Sequence, residues 1–287
     1  MRELIQWPRA RYWDKAWNPV VGCRPCSPAC EHCWAREWMG RFYLDEDGFP
    51  IFRPMWTTKK RPPRSGVVFC GNMTDLFGAW LDEHPFTGPN TFPDPCSSFV
   101  SEVLDNQKRS WQGEHGPTYL WLTKRAKRMC ETLHDGRVDV GRQWWKVGEL
   151  MQTPRGQRCM DHQFFGFTAE NQEWFDRRML DIFATWPEWA NLWVSCEPLL
   201  GPVELSGLSR LPVRWVVVGC ESGPKRRPCR VEWVESVVEQ CMAAGVPVFV
   251  KQLDLGGRCV TDISRFPEHL RVRQVPWAGR TVERVKG

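Results

Sequence analysis

The sequence predicts an α/β fold built on a parallel sheet, and two observations lead to that prediction. Short runs rich in β-branched and aromatic residues recur along the chain, and stretches with helical spacing lie between them. Strands that alternate with helices form a parallel sheet, either open or closed into a full or partial barrel. The run Trp215–Val218 is also continuously apolar, as expected of a strand that is covered on both faces.

The predicted elements follow one another from about residue 19 to residue 254. A short first strand is expected at Pro19–Val21, just before a group of cysteines. Helices are predicted at Asn171–Trp186 and at Val231–Ala244, and Gly245 stands where the second helix would end. The six main strands are predicted at Val67–Cys70, Tyr119–Leu122, Phe164–Phe167, Leu192–Val194, Trp215–Val218 and Val246–Val250.

The domain prediction is one barrel-like unit over residues 1–260, followed by a basic C-terminal extension over residues 261–287. Two insertions, at about 82–116 and 139–163, lack the apolar periodicity needed to build a core of their own. The stretch Arg265–Gly287 holds six basic and two acidic residues and accounts for most of the formal net charge of +5. Such a tail would either hold phosphates or form a solvated terminus.

Composition limits the class of protein. No run of 18 apolar residues occurs and the first residues lack a signal-peptide core, so we expect a cytoplasmic protein that does not cross a membrane. The 13 cysteines would then be in a reducing compartment, and an odd number disfavours a disulfide framework. Metal binding, redox chemistry and thiols that pack as small apolar side chains remain.

Four cysteines, Cys23, Cys26, Cys30 and Cys33, lie within eleven residues. Their two Cys-x2-Cys pairs are too close together for two zinc knuckles to fold around one tetrahedral ion. The spacing Cys26-x3-Cys30-x2-Cys33 suits three irons of a [4Fe–4S] cluster and leaves the fourth iron open for S-adenosylmethionine (SAM). This is the spacing of radical-SAM enzymes.

Eight motifs, in order, extend the likeness over roughly residues 5–255. They are Trp17–Cys23, Ser27–Cys33, Asp75–Phe77, Leu122–Arg125, Phe167–Asn171, Ser195–Leu200, Gly219–Gly223 and Phe249–Gln252. With them the chain resembles the phage-associated, three-cysteine, radical-SAM-like family, and more distantly it is similar to spore photoproduct lyase, which reverses a thymine lesion in DNA. The resemblance implies a radical-SAM-type (β/α)6 partial TIM barrel, a [4Fe–4S] cluster, SAM, and a phage or prophage protein that acts in the host cytosol.

The resemblance leaves the third cluster ligand open. The family pattern Cys-x6-Cys-x2-Cys nominates Cys23 with Cys30 and Cys33, whereas the general radical-SAM spacing nominates Cys26 in place of Cys23. We favour Cys23, because the surrounding motif fixes the alignment. The remaining nine cysteines are interpreted as packing residues.

Polar residues follow the end of nearly every predicted strand, which is where parallel sheets carry their chemistry. The resemblance implies that His32 lies against the adenine of SAM, with a solvent-facing loop as the alternative, and that Trp34 keeps an aromatic wall at the cofactor site where the family has tyrosine. We predict catalytic or substrate-binding roles at Lys124, Glu197, Glu221 and Lys251, and Glu197 needs a ligand or a lysine partner if it is buried. The remaining predicted SAM-binding residues are Asn72 and Asp75 (amino or carboxylate group), Thr168 and Glu170 (ribose hydroxyls) and Ser195.

Two of these residue sets have a structural alternative. Asp75 would equally serve as a helix N-cap, and Thr168 with Glu170 would equally cap the helix that begins near Asn171.

The predicted reaction is reductive cleavage of SAM to a 5′-deoxyadenosyl radical that abstracts hydrogen from a substrate. Trp144 and Trp145 lie beside Arg142 and Lys146, an arrangement that can hold a base by stacking, although an insertion folded onto the barrel would give the same pattern. Together with the basic tail and the phage-type resemblance, this favours a nucleobase in DNA, either repaired or modified. A flavodoxin- or ferredoxin-type donor would supply electrons. The alternatives are a radical-SAM enzyme for a small metabolite or peptide, and a zinc-stabilised nucleic-acid-binding module.

Overall fold

Seven parallel strands form the centre of the protein in a computed structural model, which describes residues 5–41, 55–56, 61–78, 100–101, 103–104, 116–139, 144–154, 157, 161–205, 208 and 213–277. The described strands are β1 (Ile5–Gln6), β2 (Lys15–Trp17), β3 (Val20–Val21), β4 (Met55–Trp56), β5 (Val67–Cys70), β6 (Thr118–Thr123), β7 (Arg137–Asp139), β8 (Trp144–Lys146), β9 (Gln163–Thr168), β10 (Asn191–Cys196), β11 (Val213–Gly219), β12 (Val248–Asp254), β13 (Cys259–Val260) and β14 (Gln274–Val275). The described α-helices are α1 (Trp34–Met39), α2 (Ala126–Asp135), α3 (Val147–Met151), α4 (Gln172–Thr185) and α5 (Val231–Ala244).

The central sheet has the strand order β13-β12-β11-β10-β9-β6-β5-β2, and only β13 runs antiparallel to its neighbour. From β2 to β12 the spatial order follows the chain order without a reversal. This confirms the mixed α/β class and the mostly parallel sheet that the alternating pattern predicts.

The two faces of the sheet differ in what covers them. One face packs against the apolar sides of α2, α4 and α5, which bury Met129, Phe175 and Val238 against it. The other face carries a separate, largely aromatic cluster that includes Trp193 and Trp215. Because strand side chains alternate between faces, each strand contributes to both clusters.

The six main strands and both main helices form close to their predicted positions. The predicted first strand differs: Val20–Val21 pairs with β4 outside the central sheet, and Lys15–Trp17 takes the edge position beside β5 instead. A three-residue strand is too short for apolar alternation to reveal it. At the end of α5, Gly245 adopts φ 66°, the left-handed conformation that suits glycine after a helix.

The insertions and the tail are described in part. Residues 144–151 form β8 and α3, and Trp145 packs against the core of the helix-covered face; Arg142 and the side chain of Trp144 lie outside the described residues. Most of the first insertion and residues 278–287 also lie outside them. In the C-terminal extension, β14 pairs with β1, and Arg273 is buried and donates hydrogen bonds to the carbonyls of Val250 and Thr261. Arg273 is therefore a structural cation and takes no part in a phosphate-binding tail.

None of the helices in the described part of the chain is both long enough and apolar enough to cross a membrane.

Candidate functional site

A cavity of about 450 Å³ opens at the carboxyl ends of the parallel strands, a size typical of sites for small ligands. Its wall combines the ends of β5, β6, β9, β10, β11 and β12 with the loop that carries the four cysteines. The predicted site residues in the wall are Cys23, Cys30, His32, Cys33, Trp34, Asn72, Asp75, Lys124, Thr168, Ser195, Glu197, Glu221 and Lys251. Two predicted residues, Cys26 and Glu170, lie outside this wall.

The cysteine loop, residues 22–33, is held from two sides by arginines. On one side Arg125 donates from Nη2 to the carbonyl oxygen of Arg24 over 2.8 Å, and its Nη1 pairs with Asp75. On the other side Arg227 donates from Nη1 to the carbonyl oxygen of Pro28 over 3.0 Å. Because both arginines bind backbone carbonyls, these contacts hold the conformation of the loop and therefore the positions of its sulfurs.

The thiols of the loop differ in acidity. The interaction between the Cys26 and Cys30 thiols raises the pKa of Cys26 and lowers the pKa of Cys30 to about 4, and the charge of Lys124 contributes to the lower pKa of Cys30. Burial raises the pKa of Cys23 to about 12, and the charge of Asp75 contributes in the same direction. The four thiols therefore do not form an equivalent set, and Cys26 and Cys30 interact directly.

Asp75 ties together the ends of two neighbouring strands. Its Oδ1 accepts hydrogen bonds from the Thr123 hydroxyl at 2.7 Å and from the backbone N–H of Phe77, and its Oδ2 accepts from the backbone N–H of Lys124 and from Arg125. Both carboxylate oxygens thus have protein partners. The geometry gives Asp75 an organising role at the cavity wall, in addition to any contact with a ligand.

Glu170 forms a buried ion pair with Arg178, which belongs to α4. The exposed fractions of the two side chains are 0% and 2%, and Arg178 reaches both carboxylate oxygens. Burial opposes ionisation, but the hydrogen bonds and the charge of Arg178 outweigh it, so the pKa of Glu170 lies below its usual value. The helix cap itself is Asn171, whose side chain accepts from the N–H of Trp174.

Glu197 has the lysine partner that its burial requires. Nζ of Lys251 lies 2.8 Å from Oε1 of Glu197, and the hydroxyl of Tyr12 donates to Oε2 over 3.3 Å. Burial and the neighbouring carboxylate raise the pKa of Tyr12 well above its usual value. The ammonium group of Lys251 also lies 5.8 Å from the ring centroid of Trp13, which places a cation beside an aromatic ring in this part of the cavity.

Glu221 connects the last strands with the cysteine loop. It accepts hydrogen bonds from the backbone N–H and the side chain of Arg227, and Nδ1 of His32 lies 3.3 Å from its Oε2. Burial opposes ionisation of Glu221, and the hydrogen bonds from Arg227 reverse that effect, so its pKa is lowered. His32 is thereby oriented by a carboxylate and does not face only solvent.

Other predicted residues offer polar atoms to the cavity. The Asn72 side-chain oxygen accepts from Asn18 over 2.7 Å, and the Thr168 hydroxyl donates to the carbonyl of Thr123 over 3.3 Å. The hydroxyl of Ser195 is fully buried and has no hydrogen-bond partner among the residues that the structure describes. A buried hydroxyl of this kind in a cavity wall is suited to a polar ligand.

Four residues of the site were not predicted: Arg178, Arg227, Tyr12 and Trp13. Arg178 lies at helical spacing between the buried Phe175 and Ile182, which was a usable signal for an arginine on the inner side of α4. Arg227 and the two aromatic residues lie in loops and N-terminal segments without periodicity, and no local pattern singled them out.

Within the described ranges, no three His, Cys, Asp or Glu side chains meet closely enough to hold one metal ion. An iron–sulfur cluster makes a different demand, since each thiolate binds a different iron and the sulfurs surround the cluster. Cys23, Cys30 and Cys33 all line one cavity, which is a condition that ligands of one cluster have to meet.

Most of the cysteines outside the loop are packing residues, as the sequence suggests. Cys96 and Cys159 lie outside the described residues, and Cys259 is half-exposed. The buried ones are Cys70, Cys130, Cys196, Cys220, Cys229 and Cys241.

Comparison with known proteins gives one match. A family model described as "Protein of unknown function (DUF5131)" matches residues 8–283, nearly the whole chain. No curated protein and no solved structure matches the chain at a significant level.

Proposed function

The chain belongs to the DUF5131 family, whose function is unknown, and we propose that it is a radical-SAM enzyme with a [4Fe–4S] cluster that acts on a nucleobase in DNA. One observation carries the proposal: Cys23, Cys30 and Cys33 share a cavity wall with the polar residues that follow six parallel strands. The parallel strands follow one another across the sheet in chain order, and the described crossover helices cover one face. This arrangement supports the radical-SAM-type (β/α) partial barrel that this function requires.

The cluster ligands in this proposal are Cys23, Cys30 and Cys33. Cys26 lies outside the cavity wall, which favours a supporting position for Cys26 beside the cluster. Each of the three thiols has to lose its proton when it binds iron, and the positive charge of Lys124 near Cys30 and Cys33 favours the thiolate form.

SAM would occupy the adjoining part of the cavity. When bound, SAM would take one electron from the reduced cluster, break its sulfur–C5′ bond with release of methionine, and so supply the 5′-deoxyadenosyl radical chemistry that removes hydrogen from a substrate. The unpartnered hydroxyl of Ser195, the hydroxyl of Thr168 and the amide of Asn72 are available polar contacts for it. His32 is positioned by Glu221 for the adenine, whereas Glu170 supports the wall through Arg178 without lining it.

The chain's own residues would bind and orient the substrate. Lys251, a quarter exposed, presents a cation to the cavity, and Glu197 fixes its position. Tyr12 and Trp13 both lie beside that cation, with ring centroids 5.9 and 5.8 Å from Nζ. A lysine next to an aromatic surface suits a base with acceptor oxygens, such as thymine, which supports a nucleobase substrate.

The cluster is tested by anaerobic reconstitution of the full chain. We expect a brown protein with about four irons per chain, which forms 5′-deoxyadenosine when reduced by flavodoxin, ferredoxin or dithionite in the presence of SAM. Cys30→Ala and Cys23→Ala should lose cluster and product, while Cys26→Ala should retain both. One tightly bound zinc without iron would contradict the proposal and support the zinc-stabilised alternative.

The substrate is tested by isotope transfer. DNA deuterated at the thymine methyl group or at other base positions is incubated with the reconstituted, reduced enzyme and SAM. Deuterium in 5′-deoxyadenosine identifies DNA as the hydrogen source. Product formation without any transfer from DNA would instead favour the alternative substrate, a small metabolite or peptide, which a cavity of about 450 Å³ also has room to hold.

A further inference from the structure

Two tryptophans at the mouth of the cavity expose large aromatic surfaces. Trp34 and Trp38 are each 45% exposed, and Trp34 also lines the cavity. They lie four residues apart on α1, so their side chains project from the same side of the helix. The other large exposed apolar side chains of the described residues are on α4 and α5: Leu180, Phe183 and Met242.

Cations lie close to this aromatic surface. Arg41 is exposed and lies just beyond the end of α1, in a turn where its backbone N–H donates to the carbonyl oxygen of Trp38 over 3.2 Å. The loop at Gly223 lies beside α1, because a Cβ atom at Gly223 would be 3.7 Å from the carboxylate of Glu37. The exposed Lys225 belongs to that loop.

We propose that the stripe formed by Trp34, Trp38 and Arg41 binds a single-stranded segment of nucleic acid. This proposal rests on the proposed function, because a base of the bound strand would enter the cavity. Exposed indole rings with neighbouring cations are how proteins bind single strands without reading sequence: bases stack on the rings and phosphates meet the cations. The stripe begins at the cavity wall with Trp34 and leads outward. A base held at the Trp34 end is therefore adjacent to the cysteine loop.

The test is binding of a fluorescently labelled twelve-nucleotide dT strand to the purified full chain, without cluster or SAM, followed by anisotropy. We expect salt-dependent binding that quenches tryptophan fluorescence. Trp38→Ala should weaken it by about tenfold, whereas Trp38→Phe, which keeps an aromatic face, should stay within about threefold of wild type. Arg41→Ala should lower the slope of log K against log salt by about 0.7.

Phe183→Ala is the matched control, because it removes a half-exposed aromatic ring from α4 and should leave binding unchanged. Circular dichroism and thermal melting confirm that each variant is folded. Absence of binding, equal loss in Trp38→Ala and Phe183→Ala, or wild-type affinity in Trp38→Ala would each overturn the proposal. Capture of a protein by this surface without affinity for single strands would overturn it as well.

The binding assay is independent of iron and SAM, so the two proposals fail separately. A chain that cleaves SAM but ignores single strands refutes only the nucleic-acid surface. A chain that binds single strands but holds no cluster refutes only the radical-SAM function.

Discussion

Arg178 and Glu170 form an ion pair that is buried between α4 and the end of β9, directly behind the cavity wall. The guanidinium also donates to the carbonyl oxygens of Thr168 and Lys124, the residues at the ends of two neighbouring strands. One arginine therefore fixes a carboxylate and two strand ends at once. The cavity wall depends on a contact that no ligand would touch.

Arg178→Met should destabilise the protein by about 3–5 kcal/mol, because it leaves the carboxylate of Glu170 buried without a partner. The measurement is the free energy of unfolding in urea. Arg177→Met, which changes the exposed neighbour on the same helix, should cost less than about 0.5 kcal/mol. Equal losses in the two variants would show that the buried pair has no special part in stability.

The same pair predicts a pH dependence. The pKa of Glu170 is lower in the folded than in the unfolded chain. The ionised carboxylate therefore contributes fully to stability above the ordinary carboxyl pKa of about 4.3, and this contribution is lost as the pH falls through the pKa of the folded state. Unfolding free energies of the wild type should decline below about pH 4. The Arg178→Met difference from wild type should shrink over that range; a difference that stays constant with pH would argue against the linkage.

Arg227→Gln should loosen the cysteine loop, because Arg227 joins Glu221 to the carbonyl of Pro28. We expect faster amide hydrogen exchange over residues 22–33 and a loss of about 1–3 kcal/mol in stability. Arg230→Gln is the matched control, since Arg230 pairs only at the surface, 3.7 Å from Glu232. Unchanged exchange in the loop of Arg227→Gln would contradict the role assigned to it.

Gly166→Ala should destabilise the aromatic face of the sheet. A Cβ atom there would lie 2.5 Å from the ring of Trp193, whose Nε1 is held by the carbonyls of Trp121 and Phe164 and cannot move freely. Overpacking of this kind costs about 1–3 kcal/mol, measured by thermal or urea unfolding. Gly201→Ala, where the nearest contact is an ordinary 3.4 Å, should be nearly neutral; equal costs would rule out the steric reason.

Cys259 should be the most reactive of the described thiols outside the cysteine loop. Its interaction with the Cys220 thiol, together with the charges of Arg226 and Lys251, lowers the pKa of Cys259 to about 7, although burial and Asp254 act in the opposite direction. The thiolate is the reactive form, so alkylation by iodoacetamide at pH 7 should be about fivefold slower in Cys220→Ala. Cys130→Ala, which removes a buried thiol elsewhere, is the control. An unchanged rate in Cys220→Ala would disprove the coupling.

The strands were predictable where the chain is regular. The runs that became β5, β6 and β9–β12 are rich in β-branched and aromatic residues, and their length and apolar character identify them without any tertiary contact. Lys15–Trp17 was not predictable as the edge strand of the sheet, because three residues carry no periodic signal and its place depends on pairing with β5.

The site was predictable in its position but not in its internal contacts. Polar residues after parallel strands meet at one edge of a sheet, so Lys251 and Glu197 could be expected in the same region from the strand pattern alone. In the structure Lys251 pairs with Glu197, whereas Glu170 pairs with Arg178 of α4 and does not line the wall. These pairings depend on tertiary contacts that local sequence patterns do not show.

The sequence by itself determined the α/β class, the six main strands, the cysteine spacing and the edge of the sheet where polar residues gather, because each of these follows from local periodicity and from the direction of parallel strands. Only the tertiary structure decided which cysteines line the cavity, that arginines hold the cysteine loop from both sides, and that Arg273 is buried. These features arise from contacts between residues that are far apart in the chain, and local sequence patterns do not reveal such contacts.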